Sequence, residues 1–326
     1  MLKSNAVIFG LEGKQVSNKE VDFFKDVNPL GFILFSRNID NPEQVKSLVN
    51  NLKDIVGWNC PILIDQEGGR VARLKPPHWR ESPAMGQYAQ LAKTDLSKAQ
   101  NEVYENAFKI GSELIDMGIN VDCAPVCDLL FSETHDIIGD RSFGPDVDIV
   151  SKLARKTAQG LLDSGVLPVI KHIPGHGRAL SDSHKELPIV SAELDELASS
   201  DFKVFENLNN MPWAMTAHIL YKAIDEKNPA TLSSKIIDII RNDIGFNGFL
   251  ISDDLSMEAL VGNYTDRATN SISAGCDAVL HCNGKFQEMV DIAKGIGSLS
   301  ALAKKRLEVS MQLILSNDEN NKVFAN

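Results

Sequence analysis

Eight short, nearly continuous apolar runs, each followed by a longer amphipathic segment, constrain this 326-residue chain more than any other feature. The runs occupy residues 6–9, 31–35, 62–65, 120–124, 167–171, 213–217, 249–253 and 278–281. They lack the alternation of a half-exposed strand, as expected of parallel strands covered on both faces. The intervening stretches, such as 42–56, 99–117, 147–164, 233–242 and 256–274, carry helical periodicity. Asn41 followed by Pro42 reads as an N-cap with proline in the first turn. Strands alternating with helices allow a closed barrel or a doubly wound sheet. No GxGxxG follows the first run, and polar motifs are spread over many strand ends. Both facts favour an α/β fold of the single-domain (β/α)8 TIM-barrel type over residues 1–326. A final helix over about 299–315 is expected on the outside of the barrel, with a frayed tail at about 317–326. No low-complexity tract or compositional break marks a second domain.

Composition narrows the function. With 43% hydrophobic and 24% charged residues the chain reads as an ordinary globular protein, and its formal net charge is −11. That charge argues against nucleic acid and anionic membranes as partners. The five cysteines, Cys60, Cys123, Cys127, Cys276 and Cys282, are sparse, odd in number and without a CxxC pair. Free thiols in a reducing compartment are expected. The apolar run 6–11 is too short for a secretory h-region, so a cytoplasmic location is expected.

In barrels of this type the active site gathers at the C-terminal strand ends, so the residues following each run carry the chemistry. After the third run comes Asp65-Gln66-Glu67-Gly68-Gly69-Arg70, with Arg73 nearby. After the fourth come Asp128 and then Gly139-Asp140-Arg141-Ser142-Phe143-Gly144. The fifth leads into Lys171-His172-Ile173-Pro174-Gly175-His176-Gly177 and on to Asp182-Ser183-His184. The sixth ends near His218 and the seventh at Asp253-Asp254. A carboxylate ending a buried strand is costly without a partner or a function. Asp253 could cap a helix starting near Ser256, or Asp254 could cap it and leave Asp253 facing the barrel mouth. Arg141 could be a ligand or the ion-pair partner of Asp140.

Taken together and in this order, these segments resemble glycoside hydrolase family 3, in its bacterial β-N-acetylhexosaminidase branch. So do Met215-Thr216-Ala217-His218 and Ser252-Asp253-Asp254-Leu255-Ser256-Met257. The resemblance extends from about Gly31 to Asn283. It implies a retaining, cofactor-free exo-glycosidase acting on β-N-acetylglucosamine or another N-acetylhexosamine at the non-reducing end. For single-domain intracellular members it implies peptidoglycan fragments as substrates in cell-wall recycling. It also implies Asp253 as nucleophile, and His184 as acid/base with Asp182 orienting it. Asp65, Arg73, Arg141, Lys171 and His172 are implied as ligands of the terminal sugar. Histidine, with an ordinary pKa near 6.5, can give and take a proton near neutrality. Arg70, Asp128 and His218 are expected in support, His176 and Glu67 outside the chemistry, and Gly175 and Gly177 as sources of loop suppleness.

Three other readings are weaker. A metallohydrolase could use His172, His176, His184 and His218, but Pro174-Gly175 breaks the helix that would align the first two. A Schiff-base lyase through Lys171 leaves Asp253 and the Asp182/His184 pair without roles. A sugar-binding barrel without chemistry would not need all three. Within the family, a neutral histidine base does not repel phosphate, so phosphorolysis stands as an alternative to hydrolysis. The oligomeric state and the natural aglycone are left open.

Overall fold

The computed structural model describes residues 4–323, with side chains through 314. The strands are β1 (Asn5–Phe9), β2 (Pro29–Leu34), β3 (Ile62–Ile64), β4 (Val121–Asp122), β5 (Leu167–Ile173), β6 (Ile189–Val190), β7 (Trp213–Thr216), β8 (Leu220–Tyr221), β9 (Phe249–Asp254) and β10 (Ala278–His281). All but β6 and β8 form a closed barrel, every pairing parallel, in which β1 lies between β2 and β10. Each of the eight apolar runs is therefore a barrel strand. β6 and β8, two residues each, pair in a separate parallel ribbon that periodicity could not reveal.

Alternation along the strands sorts side chains into two layers. Ile8, Leu63, Val121, Cys123, Val169, Met215 and Ile251 fill the interior. Their neighbours Val7, Ile62, Ile64 and Val279 meet the helical ring outside. Fully burying one such side chain contributes roughly 1.5–3 kcal/mol, so the barrel wall is stabilised from both faces. The helix Ala301–Val323 packs against this interior group through Ala303, Leu307 and Ile314, and Trp213 Nε1 donates to Ser310 Oγ at 2.9 Å. It thus crosses the ends of β7 and β9 where Trp213 and Phe249 begin those strands, with their rings 4.6 Å apart. It also runs past the expected end at 315; residues 324–326 of the expected tail lie outside the described residues.

Helix boundaries follow the caps. Asn41 accepts from Gln44 N–H ahead of helix Pro42–Val56, as its sequence suggests. The segment expected as a helix from 256 instead turns through 255–262 and becomes helical at Tyr264–Ala274, capped by Asn263. Gly262, at φ +89°, breaks the periodic pattern, and Asn263 supplies the first acceptor. Among the described residues no helix is long and apolar enough to cross a membrane.

Candidate active site

At the C-terminal strand ends a cavity of about 400 Å³ opens, within the size range of small-molecule sites. Asp65, Arg73, Arg141, Lys171, His172, His184 and Asp253 all line it. Asp182, the eighth residue expected in the site, stands behind His184 and bonds to it. Residues from β5 and β9, and from the loops after β3, β4 and β5, thus converge although up to 106 positions separate bonded partners.

One wall is a ladder of alternating charge. Arg73 Nη2 donates to Asp65 Oδ2 at 3.0 Å, and Lys171 Nζ donates to Asp65 Oδ1 at 2.9 Å. Lys171 Nζ also lies 2.7 Å from Glu67 Oε1, and Arg141 grips both oxygens of Glu67 at 2.8 Å. Burial alone would raise both carboxyls, but the facing cations outweigh it. Asp65 is held well below the usual carboxylate range, and Glu67 lies at about 2. Burial disfavours charge on Lys171, yet Asp65 and Glu67 raise its pKa, so it is an ammonium. An iminium-forming amine would need the opposite shift. Three cations against two carboxylates leave donors to spare for sugar hydroxyls.

Glu67 was not expected in this assembly. Charge balance could have found it: without Glu67, Asp65 would be the one carboxylate facing Arg73, Lys171 and Arg141, and buried charges need partners. Arg141 does not pair with Asp140. Asp140 instead takes Arg70, at 2.8 Å on the surface, while Arg70 also donates to the carbonyls of Ile137 and Ile138. Because Ile137 and Ile138 line the cavity, Arg70 supports its wall from outside.

The opposite side is built on β9 and the loop after β5. Asp253 Oδ1 accepts from Asp254 N–H at 2.7 Å. Burial would raise its pKa, but His218, His172, that N–H and His184 together lower it, so it stands ionised in the cavity. Asp254 holds the turn that follows, accepting from Ser256 N–H at 2.9 Å, Ser256 Oγ at 2.6 Å and Cys282 N–H at 3.0 Å. His218 bonds Thr231 through Nδ1 and donates Nε2–H to the Asp254 carbonyl at 2.9 Å, and burial lowers its pKa.

Asp128 accepts from His172 Nδ1 at 2.7 Å and from His172 and His176 N–H, which fixes the imidazole of His172. Burial and the nearby His172 push His176 down to about 4, so it is neutral; its Nε2 lies 3.1 Å from Ser183 Oγ. Thus His176 joins the cavity lining and supports the following loop. In that loop Asp182 Oδ1 accepts from both the N–H and the Nδ1 of His184, at 2.9 and 2.8 Å. With Nδ1 donating, Nε2 is the nitrogen available to the cavity.

The glycines of this loop are required for close packing. A Cβ on Gly177 would sit 2.0 Å from Leu129 O, and Gly175 has φ +142° against Asp201. Beneath the Asp65–Glu67 turn, Asp122 Oδ1 accepts from Gln66 N–H at 2.9 Å while its Oδ2 is buried without a partner. Burial raises this carboxyl to about 7. Among the described residues no three His, Cys, Asp or Glu side chains are grouped to hold a metal ion.

Comparison with known proteins identifies the family. The "Glycosyl hydrolase family 3 N terminal domain" matches residues 5–317. A "Beta-hexosaminidase" of Alkalilimnicola ehrlichii is 37% identical over 85% of this chain and 80% of its own length. One from Hydrogenovibrio crunogenus is 32% identical over 98% of this chain and 90% of its own. The crystal structure of NagZ from Neisseria gonorrhoeae in complex with N-trifluoroacetyl-D-glucosamine superposes with a TM-score of 0.82 at 30% identity, covering 97% of this chain and 98% of that one. The chain belongs to glycosyl hydrolase family 3, among the β-hexosaminidases.

Proposed function

We propose that the chain is a retaining exo-β-N-acetylglucosaminidase that works through a covalent intermediate on Asp253, with His184 as acid/base. One observation carries this reading: the ionised Asp253 and the Asp182-supported His184 line the same cavity. In the first step the Asp253 carboxylate bonds to the anomeric carbon while protonated His184 gives its Nε2 proton to the departing oxygen. In the second step neutral His184 takes a proton from water, the water oxygen bonds to the anomeric carbon, and Asp253 leaves. Asp182 keeps the imidazole in one tautomer throughout, as an aspartate does in serine hydrolases. Asp65, Arg73, Lys171, Arg141 and His172 hold the sugar's hydroxyls and acyl group. Peptidoglycan fragments in the cytoplasm are the proposed natural substrates, on the strength of the family resemblance and of the N-acylglucosamine bound by the Neisseria relative.

A screen of p-nitrophenyl glycosides followed by NMR of the product tests this. The β-N-acetylglucosaminide should be cleaved with the β-anomer appearing first and the rate unchanged by EDTA. Initial α-anomer would exclude retention, and a sugar 1-phosphate formed in phosphate buffer would replace hydrolysis with phosphorolysis.

A further inference from the structure

The loop carrying Asp182 and His184 is tied to the scaffold at its base by one side chain outside the cavity lining. Arg178 donates from Nε to Asp201 Oδ2 at 2.6 Å, from Nη1 to Glu196 Oε1 at 2.6 Å and from Nη2 to Ser200 Oγ at 3.1 Å. Its guanidinium carbon lies 4.3 Å from the centroid of the Phe131 ring. One cation thereby joins three segments: the loop after β5, the loop after β4, and helices Leu194–Ser199 and Asp201–Asn207. Asp201 is almost wholly buried, so its bond with Arg178 is shielded from water. Two neutral bonds support the same clamp, Thr134 Oγ1 to Gly177 O at 2.6 Å and His135 N–H to Ala179 O at 3.1 Å. On the far side the loop is held more loosely. Ser183 O accepts from Ala259 N–H at 3.3 Å, and Ser183 Oγ meets His176 at 3.1 Å. Charge-assisted bonds are about twice as strong as neutral ones, so Arg178 is the stronger anchor, six residues before His184.

We propose that Arg178 is a positioning residue: its clamp onto Asp201, Glu196 and Ser200 sets where His184 stands over the cavity, and with it the efficiency of proton transfer to the leaving oxygen. This rests on His184 being the acid/base. A general acid must lie within hydrogen-bond reach of the oxygen it protonates, and a misplacement of about 1 Å costs about 10²-fold. Releasing the clamp leaves sugar binding intact, because the ladder of Asp65, Glu67, Arg73, Arg141 and Lys171 is anchored independently of Arg178.

The test compares kcat/KM for two β-N-acetylglucosaminides, one with a nitrophenolate leaving group and one with a sugar. Nitrophenolate departs without a proton and the sugar alkoxide does not. Arg178→Gln/Asp201→Asn removes the clamp without stranding a buried charge. It should lower the sugar-to-nitrophenyl ratio about tenfold, an intermediate share of the 10²–10⁴ that a general acid supplies. The inhibition constant of N-acetylglucosamine should stay within about twofold, since its binding contacts are elsewhere. Arg178→Lys keeps a charge against Asp201, and so the fold, but cannot fork or stack. It should lower the ratio by about threefold, one part of the clamp's effect on the acid. His184→Ala is the reference. If it too leaves the ratio unchanged, the acid/base assignment has failed, and with it the proposal. If His184→Ala lowers the ratio but folded Arg178→Lys keeps the wild-type ratio, the clamp proposal alone is overturned. Equal loss on both substrates with weakened N-acetylglucosamine binding overturns it as well.

Discussion

Glu67→Gln keeps the shape of the side chain and removes the charge that Arg141 and Lys171 share. The Glu67 side chain is 2% exposed, with Arg141 on both oxygens and Lys171 at 2.7 Å. Folding takes this carboxyl from 4.5 to about 2. At 1.36 kcal/mol per pH unit that corresponds to about 3 kcal/mol at neutral pH. Breaking one partner out of a buried ion pair gives a similar figure, about 3–5 kcal/mol. The folded pKa is depressed, so the stabilisation is fully present above 4.5 and is lost as pH falls towards 2. Denaturant unfolding of both proteins should therefore show Glu67→Gln less stable by about 3 kcal/mol at pH 7. The gap should close as pH falls below 4.5. A neutral-pH difference under about 0.5 kcal/mol, the scale of an exposed pair, would refute the ladder's account of how Lys171 and Arg141 are held. So would a gap that does not change with pH.

Other consequences follow from the neighbouring groups. Asp122 has the opposite sign: its folded pKa is raised from 3.8 to about 7, so its contribution is lost as pH rises. Asp122→Asn keeps an oxygen for Gln66 N–H and should stabilise the protein at pH 8 by up to about 4 kcal/mol. That gain should disappear below pH 4; unfolding curves showing no gain at pH 8 would contradict the burial argument. Asp254→Asn retains an acceptor for Ser256 and Cys282 N–H, so it should keep activity within about tenfold of wild type, whereas Asp253→Asn removes the attacking charge and should abolish turnover. Steady-state assay of the two variants checks this, and comparable losses would contradict the proposed division of roles.

The barrel was legible because parallel strands covered on both faces leave continuous apolar runs, and all eight became barrel strands. The cavity was legible because the fold directs strand-end residues to one rim, so Asp65, Lys171 and Asp253 could be found by position. Pairings across the barrel were not legible. Glu67 meets Arg141 74 residues away, and local spacing carries no trace of that contact. The helix start at Tyr264 was hidden by a turn whose apolar residues, Leu255, Met257 and Leu260, are buried as a helical face would be. Gly175 and Gly177 show the same limit: composition suggests freedom, while Asp201 and Leu129, distant in sequence, impose close contact.

The proposed mechanism turns on a covalent bond between Asp253 and the sugar. A fluorinated N-acetylglucosaminyl substrate that slows breakdown of the intermediate, followed by mass spectrometry of a peptide digest, tests it most directly. The sugar mass is expected on Asp253 and should be absent in Asp253→Asn. Label on another residue, or turnover of Asp253→Asn at the wild-type rate, would contradict the mechanism.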